Sequence, residues 1–456
     1  MGFSSNTFIF LFLPAFLGVY YTGHFLSTRM RTYLTGIIII VGSLIFYSWA
    51  LRINAILLLV YTVFVWLMGC LINKTNSRYA LFLCVISSLA ILFYYKYNPQ
   101  TETIAPIGIS FITFSVISYF VDIYKGEESG SLSECMLYVL FFPKIVSGPI
   151  VLWRDFKPQA ESRFSSVEGF VAGLNRMAIG LAKKIILADT FCSYAEKFGD
   201  QCIYTAWLGW IIYALQIYYD FSGYSDMAIG ISKMIGFDIK ENFNFPYRSL
   251  SITEFWRRWH ISLGRFFREY VYIPLGGNRK GESRTLLNLA IVFALTGIWH
   301  GAGLSYIIWG TIHGIFVLVE RIIKDKKWYS LAPGFIKWVT TFFVSASAWQ
   351  FFRYGNNPMR AINSILLLFG IRIGNFDELS YFPWQYYLDS KIVFFVIVGL
   401  VGAILLGSDR IKSIYRKLVG NDVFYLFQEV AIMFILVISI TYMVSSTYNP
   451  FVYFQF

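Results

Sequence analysis

Charge is scarce in this chain of 456 residues. Asp, Glu, Lys and Arg make up 14% of it and hydrophobic residues 57%, whereas soluble domains carry about 25% charged residues. An ordinary soluble enzyme is excluded. Apolar runs recur from end to end, so the chain reads as one helical membrane domain, 1–456, and not as the soluble domains its length would otherwise suggest. Cysteine is sparse and unpatterned. Cys70, Cys84, Cys135, Cys192 and Cys202 form no CxxC pair; an odd count suits no full disulfide framework, and metal-ligand spacing is absent, so no metal is expected. No basic residue precedes Arg29, which excludes the positive n-region of a secretory signal and predicts an uncleaved first span. Asn6 stands where myristoylation needs Ser or Thr. There is no internal repeat and no pair of matched broken helices, features many transporters show.

Aromatic residues, by contrast, are abundant: 20% of the chain, with 45 Phe and 32 Tyr. Some must form interfacial belts; the rest suit core packing or an aromatic-lined tunnel. The formal net charge is +12. Positive-inside bias and attraction to anionic lipid headgroups account for that sign, and a basic cytoplasmic face could also attract a phosphate-bearing donor. The basic residues are scattered among loops between spans, so nucleic acid is not an expected partner.

Taken in order, spans are predicted at the amino terminus, which should face outward, and over 33–50, 53–73, 79–95 and 106–123. Residues 95–106 read as an outward loop. Residues 135–152 are apolar but interrupted by Pro143, Gly148 and Pro149, with Lys144 in their midst. They read as a re-entrant or interfacial element, or else a kinked span. Residues 166–191 are amphipathic and 203–219 form another span. Asp220 and Asp226 bracket a Ser-Gly-Tyr-Ser sequence at which the helix is expected to break, the two acids capping the broken ends. Further spans are expected near 336–352, 358–369, 391–407 and 427–446. The polar, aromatic segment 373–390 reads as an outward loop, and the carboxyl-terminal YNPFVYFQF as an interfacial anchor.

Residues 240–319 organise the rest. They hold three of the four histidines, His260, His300 and His313, and from Thr285 to Val319 they contain no Asp, Glu, Lys or Arg. A membrane helix needs about 20 apolar residues, so this run should be two helices, broken at Gly301-Ala302-Gly303. A histidine beside a break at membrane depth is a functional candidate by default; the plain alternative is a hydrogen bond to a neighbouring helix. Upstream, Ser251 and Glu254 fit a capping box. Ile252, Phe255, Trp259, Leu263, Phe266 and Tyr270 predict one amphipathic helix, with His260 at the edge of its apolar stripe beside Trp256. That place suits a side chain open to a tunnel and equally a boundary histidine that only hydrogen-bonds. The loop IPLGGNRKGESR carries Arg279 and Lys280, either as an ordinary basic loop or as a landing site for donor phosphates. On one helix His300 and His313 would lie about 20 Å apart and on different faces, so His260 is the better expected partner for His300, and His313 is more structural or tunnel-lining.

The segments FFPKIVSGPI, DFSGYSDMAIG, NFNFPYRSLSITEFWRRWHISLGRFFREYVYIPLGGNRKG and GIWHGAGLSYIIWGTIHG resemble the membrane-bound O-acyltransferases (MBOAT family), in the bacterial alginate O-acetyltransferase-like branch. The resemblance implies an all-α polytopic membrane protein of about eleven transmembrane helices, plus re-entrant elements, around a central tunnel, with a catalytic core near 105–324. It implies a catalytic histidine at His300 and a second polar residue at His260. His313, Trp299, Trp256 and Asp226 become candidates to line the substrate path, and Arg279 and Lys280 to bind donor phosphates. The implied donor is acetyl-CoA or another acyl thioester, used as a substrate with no bound cofactor. The implied partners are a polysaccharide acceptor or an extracytoplasmic SGNH-type relay protein, and membrane lipids; the implied location is the bacterial plasma (inner) membrane. D-alanyl transfer to teichoic acid, and a transporter or channel, are the alternatives.

Overall fold

A computed structural model describes residues 2–23, 27–49, 52–98, 106–198, 202–372 and 388–445. The outward-loop expectations for 95–106 and 373–390 fall largely outside these residues, and that for the carboxyl-terminal segment entirely so. Among the described residues every regular element is helical. The helices pack into two compact units.

The first unit takes the chain up to Leu181 together with Tyr224–Glu241 and the end of the last helix from Leu436. It holds α1 (Leu13–Thr22), α2 (Thr28–Ser48), α3 (Arg52–Thr75), α4 (Arg78–Tyr97), α5 (Ile109–Tyr124), α6 (Leu132–Leu140), α7 (Phe142–Ile145), α8 (Trp153–Ser162) and nearly all of α9 (Val167–Ala182). Its core follows from spacing. Phe8, Phe12 and Phe16 recur every fourth residue and so share a face; their rings follow one another at 5.5 and 5.8 Å, and Phe142 meets Phe12 and Phe16 edge-on at 5.5 and 5.2 Å. Residues 135–152 form two short helices and an irregular run, all but fully buried. Buried backbone of this kind is tolerated at membrane depth because protein covers it. Lys144, 3% exposed, lies over the Tyr138 ring with its Nζ 3.3 Å from the centroid.

The second unit takes Ala182–Gly223 and Asn242–Ile435. It contains α10 (Asp189–Ala195), the start of α11 (Ile203–Met234), α12 (Ile252–Arg258), α13 (Ile261–Phe267), α14 (Glu282–His300), α15 (Leu304–Ile323), α16 (Lys327–Leu331), α17 (Gly334–Arg353) and α18 (Pro358–Leu367). It ends with α19 (Ser390–Leu400), α20 (Asp409–Leu418) and most of α21 (Asp422–Ser445).

Four expectations need correction. Helix α11 runs unbroken through Ser222–Ser225. Asp220 and Asp226 are not caps, because each already has a cation: Lys184 Nζ lies 2.8 Å from Asp220, and Arg176 Nη2 2.7 Å from Asp226. The amphipathic stripe from Ile252 to Tyr270 is not one helix but two, divided at His260. The capping box is half formed. The Glu254 N–H donates to Ser251 Oγ, but the Glu254 carboxylate accepts from the Leu250 N–H. Helix α18 has 10 residues, about 15 Å of length, half of what a hydrocarbon core of about 30 Å requires.

Among the described residues, Met30–Ser48, Ile53–Thr75, Arg78–Tyr97, Leu304–Ile323 and Asp422–Ser445 are long and apolar enough to cross a membrane. Ser390–Leu405 with Asp409–Leu418, bent by 86°, would make a sixth span. The expected number of about eleven is not reached on length and composition alone. Other apolar segments, Phe8–Thr22 and Ile109–Tyr124, are shorter, and the stretch around His260 is interrupted.

Candidate active site

Three pieces of the second unit supply the candidate site: the α12–α13 junction, the α14–α15 hairpin and α17. His300 is the last residue of α14, and the chain leaves the helix through Gly301 in extended backbone. A Cβ on Gly301 would meet the Tyr306 ring at 2.5 Å, so the turn requires glycine for space. The returning helix packs tightly. A Cβ on Gly310 would lie 2.8 Å from the Phe293 carbonyl oxygen, and one on Gly297 2.8 Å from that of Tyr306. Small residues at such a crossing let backbones approach closely, which is how membrane helices gain packing.

His300 is 3% exposed. Its ring lies among Trp299, Trp309 and Phe352, with centroids 4.6, 4.9 and 5.0 Å away, each edge-on. Folding back the hairpin brings His300 onto Trp309, and His313, four residues further along α15, meets the same indole ring to ring at 5.1 Å. One indole therefore touches both histidines, which a single straight helix would have kept apart. His313 is fully buried. It stacks on Phe255 at 5.9 Å and 7° and meets Trp256 edge-on at 5.2 Å. Neither of its ring nitrogens has a hydrogen-bond partner among the described residues, nor does the indole nitrogen of Trp256, Trp309 or Trp349.

His260 sits at φ +45°, a left-handed conformation, between α12 and α13. For a residue with a Cβ this costs about 1–2 kcal/mol, and such strain persists only where the surroundings over-determine it. Asn242 does so. Its carbonyl accepts the Ile261 N–H at 2.9 Å. Its side-chain Oδ1 accepts the Ser262 N–H at 3.2 Å and the Ser262 hydroxyl at 2.9 Å, and lies 3.1 Å from His260 Nδ1. A backbone N–H can only donate, so that side-chain atom is the oxygen, and Nδ1 must carry the proton facing it. Nε2 is then the lone-pair nitrogen of the neutral ring. Phe221 meets the His260 ring edge-on at 4.7 Å, and the Trp299 ring is 6.4 Å away. Trp299 is thus beside both candidate catalytic histidines.

Glu320, near the end of α15, ties the pieces together. Its carboxylate accepts the N–H groups of Ile252 and Thr253 and the Thr253 hydroxyl. A carboxylate satisfies orphan donors and complements the positive end of the helix dipole. Glu320 also borders a groove of about 900 Å3. Leu289, Val292, Phe293 and Thr296 of α14 and Trp256 form its apolar side. Arg257, Arg265, Arg268, Arg321, Lys324 and Lys337 supply its charge. Arg265 is paired with Glu269 and Arg321 with Glu282; Arg257 and Arg268 have no acidic partner among the described residues. Thr296 is four residues before His300 and so lies on the same face of α14.

The region 127–353 matches the family described as MBOAT, membrane-bound O-acyltransferase family. The chain is 40% identical over 389 residues to the probable alginate O-acetylase AlgI of Pseudomonas aeruginosa, covering 78% of this chain and 72% of that protein. With the probable alginate O-acetylase AlgI of Pseudomonas putida it is 36% identical over the whole of both chains. With the peptidoglycan O-acetyltransferase of Helicobacter pylori it is 33% identical over 81% of each.

The chain belongs to the membrane-bound O-acyltransferase family. It is a multi-pass membrane protein and an O-acyltransferase, and the matched stretch contains every candidate site residue. Of these, His260, His300, His313, Trp299 and Trp256 lie in one aromatic enclosure of the second unit. Asp226 lies in the first unit and is held there by Arg176, which also pairs with Glu241 at 2.5 Å. Arg279 and Lys280 are exposed in the turn before α14. Asn242, Glu320, Trp309, Trp349 and Phe352 went unread in the sequence. Trp309 was within reach, being four residues before His313 on one helix face; Trp349 and Phe352 come from a helix whose register against α15 no local pattern encodes.

Proposed function

We propose that this acyltransferase takes an acetyl group from a cytoplasmic thioester and delivers it, across the bacterial plasma membrane, for O-acetylation of an extracytoplasmic cell-envelope polysaccharide. The names of its relatives support the acetyl group and the polymer class. The site carries the chemistry: Trp299 stands beside both His260 and His300 inside a buried enclosure. In the proposed step the acceptor oxygen forms a C–O bond to the thioester carbonyl carbon and the C–S bond breaks. His300 takes the hydroxyl proton and returns it to the leaving sulfur, as a general base and then acid. His260, locked by Asn242, orients the acceptor or steadies the oxyanion. His313, with Trp256, Trp309 and Trp349, lines the path; unpaired buried donors cost about 1–3 kcal/mol each, and a polar guest would relieve that. The groove lined by Thr296 is the donor's approach, with its phosphates on Arg257 and Arg268 and, from the exposed turn before α14, on Arg279 and Lys280.

The test is transfer of labelled acetyl from acetyl-CoA to envelope polysaccharide or to an extracytoplasmic relay protein, read by mass spectrometry. His300→Ala should lower transfer by about 10³-fold or more while the protein stays folded in membranes. Near-normal transfer by that variant would refute the assignment; a transferred mass of D-alanine would move the enzyme to the other acyl group; and export of an unmodified solute with no label transferred would replace the enzyme by a transporter.

A further inference from the structure

The first unit contains a second cavity, of about 800 Å3, bordered by α2, by α6 and by the end of α8. Its deepest charge is Arg163, 7% exposed. The guanidinium donates to the carbonyl oxygens of Ala160 and Thr32, at 2.9 and 2.6 Å, and to Thr35 Oγ1 at 2.7 Å. These acceptors are neutral, as is the Tyr20 hydroxyl that also bonds the side chain, so no counter-charge meets the guanidinium among the described residues. Two carboxylates, Glu134 and Glu161, line the same cavity, but each is engaged away from Arg163. Glu134 accepts from the Ser131 N–H and hydroxyl at 2.6 and 2.9 Å, and Glu161 pairs with Lys157 at 3.0 Å. A buried cation without a counter-charge is strongly disfavoured, so the cavity wants an anion. A second arginine, Arg31, lines the same space, its guanidinium over the Phe164 ring at 5.2 Å. Gly36 leaves room for the buried charge: a Cβ there would lie 3.2 Å from Arg163 Nη2.

The remaining wall decides what kind of anion. Ile37 and Ile40 of α2 and Leu137 of α6 continue the cavity along α2, whose residues Met30–Ser48 form a candidate span. Ile37 and Val41 on this helix are 37% and 48% exposed, as residues facing lipid tails would be. A free phosphate has no use for an apolar track beside the two arginines. We propose that this cavity binds one anionic phospholipid, its phosphate on Arg31 and Arg163 and an acyl chain along Ile37, Ile40 and Leu137. The inference is independent of the histidine site.

It is tested on the purified full chain by native mass spectrometry and by thermal shift, with phosphatidylglycerol, phosphatidylcholine and inorganic phosphate as probes. Two arginines at the membrane surface should favour the anionic lipid by about tenfold or more over the zwitterionic one. Arg31→Gln should remove most of that preference, and Ile40→Trp, which fills the track, should lower retention of both lipids. Arg163→Gln should abolish the preference; if that variant does not fold, Arg31→Gln and Ile40→Trp carry the test. Equal retention of the two lipids, an unchanged preference in Arg31→Gln, undiminished retention of both lipids in Ile40→Trp, or protection by inorganic phosphate equal to that by phosphatidylglycerol would each overturn the proposal.

Discussion

Two chain breaks bring the candidate histidines to the site, and they differ in kind. The break after His300 is made by Gly301-Ala302-Gly303, where a Cβ would collide with Tyr306. The break at His260 is made by a residue with a side chain in left-handed backbone, held by Asn242 from outside the helix pair. The first is a local property of the residues that form it. The second is a tertiary constraint imposed against local preference, and the strained residue is itself the functional candidate. Strain of this sort at functional sites is a general expectation.

Substitution at His260 should separate the two roles most sharply. His260→Asn keeps a residue that tolerates left-handed backbone but loses the imidazole; it should leave thermal stability near wild type while lowering acetyl transfer by about 10²-fold. His260→Val should lower both. If Asn and Val variants lose stability equally, the conformation is not what Asn242 maintains. In the hairpin that the glycine-made break closes, Gly310→Ala should cost about 1–3 kcal/mol by overpacking against the Phe293 carbonyl, seen as a lower Tm and reduced activity together. An unshifted Tm would mean the helices separate without penalty. Glu320→Gln keeps the size of the cap at α12 but loses its charge and sets an amide NH2 against a backbone N–H, since both carboxylate oxygens accept. A loss of about 1–3 kcal/mol is expected, with kcat falling more than KM rises, because the donor groove remains. Smallest of all, Arg257→Ala with Arg268→Ala should raise KM for acetyl-CoA several-fold without changing kcat, and Arg279→Ala with Lys280→Ala should do so by less. The reverse order would move the donor phosphates out to the turn before α14.

The same contrast explains what could be read from the residues in order. The hairpin of α14 and α15 was legible because an uncharged run too long for one helix contained a Gly-Ala-Gly interruption. The expected partnership of His300 with His260 was legible because thirteen residues of helix would separate His300 from His313, and the family resemblance implied the same pair; that both lie beside Trp299 was not legible. The single amphipathic helix expected over Ile252–Tyr270 was a reasonable reading of periodicity, yet it failed at one residue. Periodicity records which faces are apolar and carries no sign of a hydrogen bond from Asn242. The break expected between Asp220 and Asp226 failed for a related reason. Two acids and a glycine look like a helix end until Lys184 and Arg176, distant in the chain, neutralise them in mid-helix. Residues 358–369 are apolar enough for a span but too few to cross a hydrocarbon core as a helix, and α18 has only 10 residues.

From composition and order come the membrane, the helices, the positive balance and the turn behind His300, since each depends on the burial preference or backbone freedom of residues near one another in the chain. The tautomer and strained backbone of His260, the placing of Trp309 against two histidines, the carboxylate seated on α12 and the uncompensated Arg163 were settled only by packing. Each depends on groups brought together from separate helices, where a hydrogen bond or a lone charge is worth far more out of water than local sequence can express.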